Sequence, residues 1–303
     1  MKKTTYHIGI DLGGTKIEIV ALDAKGQLLF KKRIDTPQNN YALTLQSIVR
    51  LIHMLETQLG GQGTIGIGTP GSPSQQTHLM KNCNSTCLNG KPLQQDLQKM
   101  LGRSIRLAND ANCFALSEAT DGAGTNADSV FGVILGTGVG GGLVINGRLH
   151  LGVNQIAGEW GHNLMPAPAI NQQQSRACYC GRTNCVETFL SGPGLAFTFR
   201  ELGGTNLSAS AIAAKAEQGD SLANKCLTIY FKQLAFALAQ VVNVFDPSVI
   251  VLGGGVSNIK SLYEQVPRYW QPHIFNDEVL TQLKPAKFGD SSGVRGAAWL
   301  WQS

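Results

Sequence analysis

One pattern is written twice in this 303-residue chain. Residues 6–34 read as strand, glycine turn, strand, turn, strand, and residues 131–151 read the same way. In the first copy the strands are His7-Ile8-Gly9-Ile10-Asp11-Leu12 and Ile17-Glu18-Ile19-Val20-Ala21-Leu22, followed by a turn at Lys25-Gly26-Gln27. Gly9 and Gly13 match Gly132 and Gly136 of the second copy, whose turn Asn146-Gly147-Arg148 is a strong hairpin signal. A duplication of this kind sets a glycine-rich turn at the same corner of two related halves. The cleft between such halves suits a phosphate chain. The alternative is a chance likeness of two glycine-rich hairpins.

The bulk numbers agree with two packed halves. Hydrophobic residues make up 43%, enough for a sizeable core, and the length is comfortable for two domains. Only 15% of residues are charged and 36 are glycine, which implies tight turns and buried parallel strands. The net charge of +5 comes from scattered Lys and Arg without a run of five or more like charges. It fits a solvated surface, or attraction of a small anionic substrate, and not nucleic acid. No apolar signal region precedes the first strand, and no window of about 18 apolar residues is read. The expected compartment is the cytosol, where the seven cysteines serve as thiols or metal ligands.

Elsewhere, residues 41–58 have helical spacing, and Thr64–Gly68 is a short buried strand ended by Thr69-Pro70-Gly71. Ile105–Leu107 is a strand that runs into Asn109-Asp110 and a helix over about 111–120. Residues 192–245 are mostly helical and are broken by Asp246-Pro247. The strand Val249–Leu252 then enters Gly253-Gly254-Gly255, with a helix expected from about Asn258 and a closing helix over 292–301. The loop near 166–176 is expected to be the most mobile segment.

Several of these turns carry chemistry. Asp11-Leu12-Gly13-Gly14-Thr15 follows a buried strand, so its backbone N–H groups and the Thr15 hydroxyl can approach an anion, or it is a plain hairpin. Asp11 is a candidate to hold Mg²⁺, directly or through water. The run Gly136–Gly142 contains a formal GxGxxG, but strand residues and an Asn-Gly turn follow it, whereas a dinucleotide fingerprint must open a helix. Gly253-Gly254-Gly255 ends a strand, where open α/β sheets bind ligands. Asn109-Asp110 is either a helix cap or a general base beside a hydrogen-bonding amide; the helix N-terminus would keep Asp110 ionised at neutral pH. Cys178, Cys180 and Cys185 form C-x-C-x4-C downstream of His162, a donor set for a closed tetrahedral zinc site. Cys83, Cys87, Cys113 and Cys226 lack such spacing and read as ordinary thiols.

Taken together, the Asp11-x-Gly-Gly-Thr turn, Asn109-Asp110, the Gly136–Gly142 run, Glu159-x-x-His162 and the cysteine cluster ending in Glu187 resemble the ROK family of sugar kinases. The likeness covers essentially the whole chain in order, and within the family it points to the bacterial fructokinases. It implies an α/β, actin-like ATPase (ribonuclease H-like) fold in two domains: 1–120 plus 290–303, and 121–289 with the zinc loop. It implies transfer of phosphate from ATP with Mg²⁺ to a hexose, first D-fructose at its 6-hydroxyl and also mannose. N-acetylglucosamine or glucose is the alternative acceptor. Asp110 would be the catalytic base, with Gly71, Asn109, Glu159, His162 and Glu187 on the sugar. ATP would lie against Gly9, Ile10, Asp11, Leu12, Gly13, Gly14, Thr15 and Lys16, then Thr137, Gly138, Val139, Gly140, Gly141 and Gly142, then Gly253, Gly254 and Gly255. His162 would serve structural zinc through one ring nitrogen, with Cys178, Cys180 and Cys185, and a sugar hydroxyl through the other.

Asn184 stands where the family's zinc loop has glycine; a left-handed backbone there explains both residues. Some family members are sugar-responsive repressors with a DNA-binding domain ahead of the first strand. Here about six residues precede it, so no nucleic-acid or membrane partner is expected. A homodimer is compatible with the resemblance.

Overall fold

The computed structural model describes residues 6–166 and 175–302. Most of the loop expected to be mobile therefore lies outside the described residues. The first half runs β1 (His7–Leu12), β2 (Lys16–Leu22), β3 (Leu28–Asp35), α1 (Tyr41–Leu59), β4 (Thr64–Thr69), a small hairpin of β5 (Ser72–Pro73) and β6 (Met80–Lys81), α2 (Leu93–Leu101), β7 (Arg106–Asn109) and α3 (Asp110–Thr120). The second runs β8 (Ser129–Leu135), β9 (Val139–Ile145), β10 (Arg148–His150), α4 (Glu187–Leu190), α5 (Gly192–Glu201), α6 (Ala209–Glu217), α7 (Ser221–Phe245), β11 (Val249–Gly253), α8 (Leu262–Trp270), β12 (Gln282–Pro285) and α9 (Ser292–Trp299).

Local chemistry accounts for these boundaries. Asn40 caps α1 by accepting from the Leu43 N–H at 3.0 Å, and Gly60 ends it at φ +72°. Asn146 and Gly147 take positive φ of 50° and 72°, as a two-residue hairpin loop between β9 and β10 requires. The helix expected at Asn258 is instead one tight turn over Gly255–Asn258, and α8 starts at Leu262.

The duplication extends through both sheets. The strand orders are β3-β2-β1-β4-β7 and β10-β9-β8-β11-β12. In each, the first three strands pair antiparallel and the last two pair parallel. The run Gly136–Gly142 thus leads into the β8–β9 hairpin and not into a helix. This is the repeated architecture expected of an actin-like fold.

The halves exchange a helix. Although α3 falls inside the expected first domain of residues 1–120, it packs on β8 and β9 of the second sheet, whereas α9 packs on β1 and β4 of the first. Close approach explains the glycines on these strands. A methyl at Gly9 would lie 2.0 Å from the Val294 carbonyl oxygen of α9, and one at Gly132 would lie 2.7 Å from Ala115 Cα of α3. The two helices also cross each other, and at Gly296 a methyl would lie 1.6 Å from the Cys113 carbonyl oxygen. Polar groups lock the crossing. The fully buried Glu118 accepts from Ala123 N, Lys287 N and Ser292 Oγ, which satisfies both its oxygens. Arg295 pairs with Asp121 and donates to the Gly26 carbonyl at 2.8 Å.

Helix α7 revises one expectation. By length and composition it is apolar enough to cross a membrane, the one such helix among the described residues. Its apolar window is mostly buried inside the fold. Leu227, Tyr230, Phe231, Leu234, Leu238 and Val242 pack with residues of α5, α6 and α8 in the second core, so its hydrophobicity is accounted for by the core. It ends at Asp246, φ +49°, just before Pro247.

Gly296→Ala is expected to push the crossing helices apart and to cost about 1–3 kcal/mol. A thermal melt indistinguishable from the parent would show that the crossing is not tightly packed.

Candidate active site

Strand β7 hands directly over to α3, and this junction carries Asn109 and Asp110. Asn109 is a genuine cap: its Oδ1 accepts from Asn112 N at 2.8 Å. Asp110 then occupies the first helical position, and its Oδ1 accepts from Ala111 N at 2.8 Å. The Asp110 carboxylate is open to solvent on one side while protein closes round the rest. That crowding raises its pKa, the Ala111 N–H lowers it, and nearby Glu159 raises it again; the net direction is up. The helix N-terminus alone predicts the opposite direction, and burial outweighs it.

Asp11 sits near the end of β1 beside the start of α9, and its charged neighbours are Asp110, Glu18 and Arg33. Burial first, then these two carboxylates, push its pKa up to about 6. Glu18 is buried and ion-paired with Lys31 and Arg33. A cation beside Asp11 would relieve the crowded negative charge, so the donor set fits a hard divalent ion.

The two glycine turns are narrower than their sequence runs suggest. Gly13, Gly14, Thr15 and Lys16 line the first, with the Gly13 N–H on the Lys16 carbonyl at 2.9 Å and Lys16 paired to Asp35. Gly9, Ile10 and Leu12 lie in the core and support the turn from behind. The second turn is Gly136-Thr137-Gly138, with Thr137 exposed. Val139, Gly140, Gly141 and Gly142 belong to β9. There Gly140 and Gly142 face α3, and Gly141 faces Trp160. Of the third cluster, Gly253 is buried against Phe114, Gly254 takes φ +82° and Gly255 is exposed. Gly71 is buried against Lys81 and Cys83, and its carbonyl accepts from Thr69 Oγ1 at 2.7 Å. That carbonyl is thus already engaged.

His162, Cys178, Cys180 and Cys185 come together as the spacing requires. Their four ligand atoms all lie within 4.8 Å of one another. Cys178 Sγ is 3.6 Å from His162 Nδ1, and Cys180 Sγ is 3.6 Å from Cys185 Sγ. Zn–S bonds of ~2.3 Å and Zn–N bonds of ~2.1 Å in a tetrahedron separate the ligands by roughly 3.6–3.8 Å. Backbone and side-chain donors of Arg182 hold the Cys180 thiol down, to about 6, toward the thiolate that a metal needs. Cys83, Cys113 and Cys226 are buried free thiols, and Cys87 is half-buried.

The second His162 nitrogen, expected on a sugar hydroxyl, meets a protein hydroxyl here. Nε2 lies 3.0 Å from the Tyr179 hydroxyl, and the rings meet edge to face. Tyr179 stands at the corner of the tight turn closed by Gly181 N on the Cys178 carbonyl, which throws its exposed ring across the imidazole. An aromatic between two metal-type cysteines was its only signal in the sequence. Glu187 opens α4 and accepts from Val139 N through Oε2 at 2.9 Å. Asn184 takes φ +56°, the left-handed position expected, and its Oδ1 accepts from Arg176 N at 2.8 Å.

Sequence pattern gave no sign of Arg176. Its side chain is 7% exposed. It pairs with Glu201, donates to the Thr188 carbonyl at 2.9 Å and to Thr198 Oγ1 at 2.9 Å, and stacks over Phe189 and Phe197. This one guanidinium bolts the cysteine loop to α4 and α5. A cavity of about 460 Å³ between these elements is lined by Thr137, Arg176, Tyr179, Glu187 and Phe197. Another, of about 410 Å³, lies behind the α3–α9 crossing and holds none of the candidate site groups. Asp110 lines neither.

The family profile described as "ROK family" matches residues 7–303. The chain belongs to the ROK family. The N-acetyl-D-glucosamine kinase of Pasteurella multocida (strain Pm70) is 40% identical over 300 residues, covering 97% of this chain and 99% of that one. A crystal structure of the ROK hexokinase from Thermus thermophilus superposes with a TM-score of 0.87 at 29% identity, covering 98% and 97% of the two chains. A ROK family glucokinase from Streptomyces griseus, solved with glucose and AMPPNP, gives 0.77 at 26% identity, covering 98% and 100%. The ROK relationship and the two matching sheets make the fold the actin-like one expected.

Asn184→Ala keeps a left-handed residue without its side-chain acceptor and is expected to cost roughly 1–2 kcal/mol in backbone strain plus the lost hydrogen bond. Asn184→Gly removes the strain and loses only the bond. The alanine variant should therefore melt below the glycine variant; equal melting temperatures would refute the role given to the left-handed backbone.

Proposed function

We propose that this protein transfers the γ-phosphate of ATP to a hexose, with N-acetyl-D-glucosamine as the preferred acceptor and Asp110 as general base. The observation that carries the reading is where Asp110 stands. It opens the helix that passes from one half to the other, with Asp11 of the first glycine turn as one charged neighbour and Glu159 of the histidine loop as the other. The choice of acceptor rests on the N-acetyl-D-glucosamine kinase relatives. They move the preference away from fructose, which the sequence motifs put first.

In this reading the acceptor hydroxyl gives its proton to Asp110 as its oxygen bonds to the γ-phosphorus. The bond from that phosphorus to the bridging oxygen breaks, and ADP leaves. A carboxylate whose pKa is raised is a better base than an ordinary aspartate. Thr15 and Thr137 supply hydroxyl donors, and the exposed backbone of the two glycine turns supplies N–H groups toward phosphate oxygens. Gly254 and Gly255 are left for the nucleoside end. Asn109, Glu159 and Glu187 are the sugar-side groups, and His162 reaches the sugar beside the Tyr179 hydroxyl. Mg²⁺, held by Asp11 directly or through water, supplies neutralisation of the triphosphate charge. Zinc on His162, Cys178, Cys180 and Cys185 fastens the loop that orients His162. The free thiols suit a reducing cytosol.

Asp110→Asn is expected to lower kcat by roughly 10²–10⁴-fold while zinc content and nucleotide affinity stay near the parent's. Near-normal turnover sinks the assignment. A hexose panel with product regiochemistry tests the acceptor: a higher kcat/KM for fructose than for N-acetyl-D-glucosamine overturns the acceptor and leaves the kinase. The base works unprotonated, so activity is present above its pKa and lost as pH falls through it. The raised pKa of Asp110 puts the acid limb of kcat/KM above the usual aspartate value of about 4; a limb at or below that value contradicts the crowded site.

A further inference from the structure

Glu187 faces two ways. It lies two residues beyond Cys185, so the cysteine cluster fixes where α4 begins. Its Oε2 is already engaged by the Val139 N–H, at the far end of the turn Gly136–Gly138. Gly138 is shaped around that carboxylate: a methyl there would lie 2.6 Å from Oε2 and 3.5 Å from the carboxyl carbon. The near end of the turn is held from the same side, because Gly192 N donates to the Gly136 carbonyl at 2.8 Å. Residues 187–192 therefore grip both ends of this turn. The buried Arg176 ties this segment and the start of α5 to the cysteine loop through the carbonyls of Thr188 and Gly194.

We propose that Glu187 is a positioning residue that couples the two substrate sites: one carboxylate oxygen holds the nucleotide turn while the other takes the acceptor sugar. The inference rests on the kinase reading above and adds a link that the reading does not require. A sugar hydroxyl on Oε1 removes the rotational freedom of the carboxylate and so fixes the Val139 N–H and the turn before the nucleotide arrives. Coupling between bound ligands is reciprocal, so nucleotide must tighten sugar binding by the same factor.

The test uses the zinc-loaded protein, AMPPNP and N-acetyl-D-glucosamine, with zinc content and melting temperature confirming that each variant is folded. In the parent, the Kd for AMPPNP by calorimetry should fall several-fold when the sugar is saturating. In Glu187→Ala that ratio should fall to about one, and the sugar-free Kd should rise several-fold because Val139 N–H loses its acceptor. Gly138→Ala lies in the nucleotide turn, yet it should raise the sugar KM several-fold by displacing a flexible carboxylate, with a smaller change in kcat. Placed on Glu187→Ala, the same substitution should add nothing. Effects of Gly138→Ala and Glu187→Ala that multiply, or a coupling ratio retained in Glu187→Ala, overturn the proposal. A parent that phosphorylates no hexose sinks the kinase reading separately. The hold of Glu187 on the turn is then still judged by the sugar-free Kd, and an unchanged Kd in Glu187→Ala refutes it.

Discussion

The contact on which the rest depends is the crossing of α3 and α9. Each helix packs on the sheet of the opposite half, and the two meet where Gly296 has no side chain to hold them apart. Asp110 sits at the start of one of these helices, and the start of the other lies beside Asp11. The base and the first glycine turn are therefore placed by the same packing that joins the halves. Backbone-to-backbone approach of this kind cannot be repacked by rotamer changes, and the buried Glu118 beside it has both oxygens engaged.

Much of this was readable from residue order. Strand and hairpin signals are local, so the repeated strand–turn–strand units, the Asn146-Gly147 loop and the Asp246-Pro247 stop all appear where the motifs put them. The cysteine cluster assembles because thiolate spacing is a short-range property, and Asn184 takes the left-handed backbone that its place in the loop demands. What could not be read was what each glycine is for. Gly9, Gly140 and Gly142 look like phosphate glycines in a sequence, yet the helices lie against them, and only the tertiary structure distinguishes a glycine that admits a ligand from one that admits a helix. The upward direction of the Asp110 shift was not readable for a similar reason. A helix N-terminus is visible in sequence, whereas the crowding that overrides it is assembled from distant segments.

The loop that carries the cysteines has two anchors of different kinds. One is the donor cluster itself, gathered within 4.8 Å. The other is Arg176, which has no motif and joins the loop to α4 and α5 through neutral carbonyls, a hydroxyl and one carboxylate. Burying a guanidinium is costly unless its donors are met and its charge balanced, and here Glu201 and two aromatic faces do this. Because the two anchors hold the same few residues, Glu187 and His162 are fixed relative to each other by the loop.

The position of α9 also bears on the order in which the protein can be made. One face of the first sheet, built from residues 7–22 and 64–69, is covered by residues 292–299. A ribosome delivers these strands long before it delivers their lid. Until then Gly9 and Gly66 face an empty surface, and the first half must wait, incomplete, while the whole second half emerges. Native assembly of this chain is thus a late event in synthesis, completed from its C-terminal end.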